Sequence, residues 1–121
     1  MFEQVDVAAI SFVPEKFGLE NNADRLEEMY RKAAAGGAQL AVAPEGVLEG
    51  YVVSPIIAGE VSADRMNDVA VTMRSSVIRR FRALAKELKI SLAFGLAERV
   101  GKQVYNCAVF IDHMGHIRGK Y

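Results

Sequence analysis

The stretch Ala41-Val42-Ala43-Pro44-Glu45-Gly46-Val47-Leu48-Glu49-Gly50-Tyr51 decides the fold. Its apolar start reads as a buried strand, and the run ends abruptly on a carboxylate with a glycine on its far side. Pro44 restricts Ala43 to extended backbone and fixes its own φ, so Glu45 is presented from a stiff support. Loops at the carboxyl ends of parallel strands are where open α/β sheets hold their ligands. A carboxylate walled there by apolar neighbours can work as a general base, whereas at a solvated turn the same residue is only a surface glutamate.

Upstream, Val5 to Phe12 is a short apolar run that predicts a strand buried on both faces, broken by Pro14 and Gly18. Asn21 or Asn22 is placed to cap a helix in which Leu26, Met29, Tyr30 and Ala33 recur at three- and four-residue steps, and Gly36-Gly37 ends it. Gln39 to Ala43 follows through a short turn, so strand, helix and strand form a right-handed βαβ unit with parallel strands. Glu45 then falls at the carboxyl end of the second strand.

Downstream, Val52 to Val71 is the least regular segment and reads as a long loop with room for one short helix; long loops near a site are often functional. Ser75 to Leu88 is helical, with Val77, Ile78, Phe81, Leu84, Ala85 and Leu88 on one face. Ile90 to Leu96 and Val104 to Asp112 are the third and fourth strands, joined through Gly101, and Met114-Gly115 turns the chain toward Ile117. The last three strands therefore read as an antiparallel meander on a mixed sheet, an α/β fold. Ile117 to Tyr121 resembles the opening of a strand more than a fraying tail, so residues 1–121 are expected to be one truncated domain, the N-terminal portion of a larger one.

At 121 residues and 51% hydrophobic content the chain suits a single domain with a substantial core. Fifteen basic and fifteen acidic residues cancel, leaving no general field to attract nucleic acid or an anionic membrane. Arg79, Arg80, Arg82, Lys86 and Lys89 concentrate positive charge, which reads as a solvated helix face. The single cysteine, Cys107, excludes an intramolecular disulfide and suits a reducing compartment. Glu3 and Asp6 without a basic lead-in argue against a signal peptide, and no apolar run approaches the ~18 residues of a membrane span. The expectation is a cytoplasmic protein.

Two separate motifs carry a resemblance to a family. The strand ending in Pro44-Glu45, followed by Gly46-Val47-Leu48-Glu49-Gly50-Tyr51, resembles the glutamate motif of the nitrilase superfamily of carbon-nitrogen hydrolases. Gly95-Leu96-Ala97-Glu98-Arg99, the strand Val104 to Asp112, Gly115 and Gly119-Lys120-Tyr121 are similar to the stretch leading to that family's lysine motif. The resemblance implies a four-layer αββα sandwich, commonly oligomeric, with no cofactor and no metal. It also implies a small-molecule nitrile, amide or carbamoyl substrate and a catalytic glutamate, lysine and cysteine. Glu45 matches the glutamate, the general base. The lysine falls just beyond Tyr121 and the cysteine further on, so the chain alone is expected to be inactive.

Two substitutes for these partners are rejected. In a continuing strand the family's lysine sits an odd number of residues after Lys120 and so faces the other side of the sheet, which leaves Lys120 a structural or surface role. Cys107 lies inside an apolar strand, beside Ala108-Val109-Phe110-Ile111, where a thiol is a buried small hydrophobe. Tyr51 is a substrate-pocket candidate, although its bulk favours packing. Asn106 either ties strand to loop by hydrogen bonds or touches substrate. Glu49 and Glu98 read as solvated, and His113 and His116 as turn residues. Two other functions remain open: a magnesium-dependent phosphodiesterase with Asp112 and Asn106 joining Glu45, and a non-catalytic assembly module, a truncated paralogue whose bare sheet face drives association.

Overall fold

Five strands in the order β1-β2-β3-β4-β5 form one mixed sheet, with helices packed against one of its faces. The computed structural model describes residues 4–121; Glu3, one of the two acidic residues weighed against a leader, lies outside them. β1 (Val7–Ala9), β2 (Leu40–Val42) and β3 (Ser91–Val100) run parallel. β4 (Gln103–Ile111) and β5 (Ile117–Lys120) add antiparallel to them, as the meander reading expects.

α1 (Leu19–Ala35) joins β1 to β2, and α3 (Ser76–Leu88) leads into β3. Both are amphipathic for the reason the sequence shows: Ala23, Leu26 and Tyr30 of α1, and Val77, Ile78, Phe81, Leu84 and Ala85 of α3, recur on one stripe and are buried. They meet Leu92, Phe94 and Leu96 of β3 and Cys107, Val109 and Ile111 of β4, which alternate onto the helix-covered face. The Phe81 and Phe94 rings meet tilted by 50° with 5.3 Å between centroids. Each such side chain contributes about 1.5–3 kcal/mol on burial. Tyr30 is fully buried and donates its hydroxyl to the Ile90 carbonyl, so its polar tip is satisfied within the core. Burial pushes its phenol pKa up.

Three expectations need correction. Val5 to Phe12 is not buried on both faces: β1 is an edge strand covered on one side only, and Val7 is 56% exposed. Neither Asn21 nor Asn22 caps α1, because the helix starts one turn earlier from Gly18, whose carbonyl accepts the Asn22 amide at 2.8 Å. The basic segment of α3 is not wholly solvated either. Arg80 reaches Asp24 and Glu27 of α1, both at 2.8 Å, and Arg82 donates to the Gly115 carbonyl at 2.8 Å, tying α3 to its neighbours.

Among the described residues, neither α1 nor α3 covers the opposite face of the sheet. Val42, Ala93 and Phe110 share that face by register, and Val42 and Phe110 are 40% and 37% exposed. The Val52 to Val71 segment holds a short helix α2 (Val53–Ile57) and a 3-10 turn at Ala63–Asp68, then rejoins the sheet where Val71 pairs with β3 beside Glu98. No helix among the described residues is long and apolar enough to cross a membrane.

Candidate active site

The loop Glu45 to Tyr51 leaves β2 and folds back over the face of β3 turned away from α1 and α3. Gly95 allows this contact: a Cβ there would lie 2.5 Å from the Gly46 nitrogen and 2.6 Å from the Glu45 Cα, closer than real side chains come. The Gly95 amide donates to the Pro44 carbonyl at 3.1 Å and the Ala43 amide to Ala93 at 2.8 Å, so β2 and β3 stay in register up to the proline. The apolar side chains Val47, Leu48 and Val52 are fully buried and anchor the loop from within.

Asn22 supplies a second anchor from α1. Its buried amide group donates to the Glu15 and Leu48 carbonyls at 2.8 and 2.9 Å and accepts from the Glu15 amide at 2.7 Å. Gly50 packs so tightly on the same segment that a Cβ would sit 2.1 Å from the Glu15 carbonyl oxygen. Lys16 closes the loop by donating to the Tyr51 carbonyl at 2.8 Å. Tyr51 itself is held at φ 52°, a left-handed conformation that costs a non-glycine residue about 1–3 kcal/mol and persists only where the surroundings enforce it.

The result is an exposed Glu45 carboxylate on a fixed backbone. Its Oε1 accepts from Asn106 Nδ2 of β4 at 2.5 Å. Asn106, Glu45 and Tyr51 line one cleft of about 530 Å³, so the three residues singled out in the sequence come together. Tyr51 is 40% exposed there rather than packed away. Val53, Ile56 and Met66 form the apolar wall, which the irregular segment after Tyr51 contributes. A second, shallower hollow of about 360 Å³ on the other side of Glu45 and Asn106 is bounded by Ala93, Gly95, Ala108 and Tyr121.

Glu49 and Glu98 are not solvated, being 5% and 6% exposed. Glu49 Oε2 accepts from the Ala97 amide at 3.0 Å, which pins the loop to β3. Burial, and more weakly the nearby Glu45 charge, raise its pKa above the ordinary glutamate value. Glu98 lies on the helix side of the sheet and accepts from Lys120 Nζ at 2.6 Å. Sequence patterning misses both because a charged residue announces burial only through its partners. Cys107 neighbours that pair, and desolvation together with Glu98 pushes its thiol up to about 11. Both Lys120 and Cys107 therefore sit across the sheet from Glu45.

Asp112 does not join Glu45. It lies past the far end of β4, where it accepts from the Met114 and His116 amides at 2.9 Å and from Arg118 at 2.5 Å. These bonds hold its carboxyl well below the usual carboxylate range. His113 and His116 belong to the same turn. Among the described residues no group of three or more His, Cys, Asp or Glu side chains is arranged to hold a metal ion, and Asp112, named with Asn106 as a companion of Glu45 in the magnesium reading, is engaged in its own turn instead.

The family profile of carbon-nitrogen hydrolases matches residues 6–121, the span that holds the βαβ start, the meander and the strand-end glutamate. The chain belongs to that family. It is 29% identical over 107 residues to a bifunctional nitrilase/nitrile hydratase of Nicotiana tabacum, covering 81% of this chain and 31% of the relative. It is 28% identical over 116 residues to an aliphatic nitrilase of Rhodococcus rhodochrous, covering 92% and 32% respectively. Among solved structures it is similar to an amidase from Nesterenkonia sp., with a TM-score of 0.73 and 25% identity over 97% of this chain and 41% of that one. The chain thus spans about a third of the length of these curated relatives.

Proposed function

We propose that this chain supplies the general-base half of a nitrilase-type active site, acting on a small amide or nitrile. The observation that carries the reading is the Glu45 carboxylate held by Asn106 over Gly95 beside a cleft. In this reading Glu45 takes the proton of a cysteine thiol as sulfur attacks the substrate carbon. A lysine ammonium stabilises the negative charge that develops on the attacked group. The Glu45 carboxyl then returns the proton to departing ammonia for an amide, and water hydrolyses the thioester. A base and a cation are both needed because a free thiol of pKa ~8.5 is mostly protonated at neutral pH.

Neither partner comes from the described residues. Cys107 is buried across the sheet with its thiol pushed up to about 11, and Lys120 is committed to Glu98. Tyr121 exchanges backbone hydrogen bonds with Ala108 at 2.8 and 2.9 Å and borders the hollow next to Glu45. A lysine an odd number of residues after Lys120 would share the face of Tyr121 and Asn106. The chain alone is inactive in this reading. The test is hydrolysis of short amides and nitriles by the 121-residue chain, by itself and joined to the C-terminal portion of a nitrilase-superfamily enzyme. Turnover is expected only in the joined form and is lost on Glu45→Gln. Robust turnover by the chain alone, sensitive to cysteine reagents, overturns the assignment.

The bare apolar face of Val42, Ala93 and Phe110 supports a second function, assembly. In a four-layer αββα sandwich this face packs on a second sheet, and in isolation it drives self-association. Light scattering tests this, since a clean monomer of 13.2 kDa is incompatible with an exposed half-sandwich.

A further inference from the structure

The cleft beside Glu45 has an uneven chemistry. Its wall is hydrocarbon, from Val53, Ile56, Met66 and Val104, while its polar residues are Glu45, Glu49, Asn106 and the two tyrosines Tyr51 and Tyr105. Among the described residues, no lysine, arginine or histidine lines it. Of the cations in the adjoining loops, Lys16 is turned onto the Tyr51 carbonyl at 2.8 Å and Arg65 onto Asp68 at 2.9 Å. At about 530 Å³ the space falls within the usual range for small-molecule sites, roughly 300–1,000 Å³.

We infer that this cleft holds the substituent of the substrate and selects an extended apolar chain, neutral or ending in a cation, while rejecting one that ends in an anion. The inference rests on the hydrolase reading for its amide or nitrile end, and adds the substrate class. A carboxylate pushed between Ile56 and Met66 loses its water without gaining a counter-ion, and it faces the charge of Glu45. An ammonium in the same place loses water too but gains a carboxylate partner. Met66 is the specificity-determining position, because its flexible side chain meets the substituent and it belongs to the 3-10 turn Ala63–Asp68 rather than to the sheet that carries the base.

The test titrates the 121-residue chain with hexanamide, with its terminal-carboxylate analogue adipamate, with its terminal-amine analogue, and with hexanol, following the carbon-13 methyl signal of Met66. Hexanamide and the amine are expected to shift Met66 and to bind at least about tenfold more tightly than adipamate, a gap of roughly 1.4 kcal/mol. Met66→Lys is expected to reverse that order in favour of adipamate. Equal binding of adipamate and hexanamide by the unaltered chain overturns the inference, as does an unmoved Met66 at saturating hexanamide or no binding by any of the four. The failure of the hydrolase reading looks different: hexanol then binds as tightly as hexanamide, with the discrimination against adipamate intact.

Discussion

The Asn106 side chain donates to Glu45 at 2.5 Å across 61 positions of sequence, joining the second parallel strand to the antiparallel meander at the mouth of one cleft. Removing the donor should harm chemistry more than folding. Hydrogen bonds to charged groups contribute about 1.5–3 kcal/mol. Asn106→Leu should therefore lower kcat/KM for amide hydrolysis roughly tenfold to a hundredfold in the joined enzyme, with the melting temperature nearly unchanged. An unaltered rate would remove Asn106 from the site.

Gly95→Ala should unseat the loop. The added methyl meets backbone atoms of Glu45 and Gly46, which cannot swing aside as a side chain could. Overpacking of this kind costs about 1–3 kcal/mol, readable as a lower urea midpoint, and the Gly46 to Tyr51 amides should exchange faster with solvent. A variant as stable and as protected as the parent would show that the loop does not rest on this strand.

Glu49 separates two effects of one side chain. Its pKa is raised in the folded state, so the fold binds more protons than the unfolded chain. Its contribution to stability is therefore greatest below the unfolded glutamate value and is lost as pH rises through the folded one. Glu49→Gln keeps an acceptor for the Ala97 amide and removes the charge; it should match or exceed the parent at pH ~8 and flatten the dependence above pH ~4.5. Glu49→Ala should cost about 1–3 kcal/mol at every pH, because it leaves the Ala97 N–H buried and unpaired. Equal losses for both variants at pH ~8 would contradict this account.

Asp112 shows the opposite sign. Its pKa is depressed by the His116 amide first and by Arg118 next, so it stabilises the fold above the ordinary aspartate value and that stability is lost as pH falls. Asp112→Asn should melt well below the parent at neutral pH, and the gap should shrink on acidification. A gap independent of pH would place the stabilisation elsewhere in the turn.

Cys107 should resist alkylation. With its thiol pushed up to about 11, only on the order of one part in a thousand is thiolate at pH ~8. Iodoacetamide should label it at a rate set by unfolding, and urea should accelerate the reaction sharply. Rapid labelling of the folded chain would reopen its candidacy as a nucleophile.

Much of the architecture was legible from periodicity. The apolar stripes of α1 and α3 repeat at helical spacing, Gly36-Gly37 stops the first helix, and the alternation through Cys107, Val109 and Ile111 marks β4. The two short helical turns between Val52 and Val71 were only partly legible, since neither is long enough to show a period. β1 was misread because a short apolar run looks the same whether a second layer covers it or not. The Asn22 role was missed because Asn near a helix start usually caps, whereas here Gly18 begins the helix and the amide is spent on Glu15 and Leu48.

The sequence by itself determined the family, the βαβ start, the C-terminal meander and the presence of a glutamate at the end of β2, because these depend on local pattern and on motifs read along the chain. Only the tertiary structure decided what surrounds that glutamate. Asn106, Gly95, Tyr51 and Met66 reach it from separate segments. Glu49 and Glu98 could be recognised as buried only once their partners Ala97 and Lys120 were in place. The physical reason is the same in each case: desolvation and hydrogen bonding depend on distances through space, and residues 48 or 61 positions apart meet only when the sheet has formed.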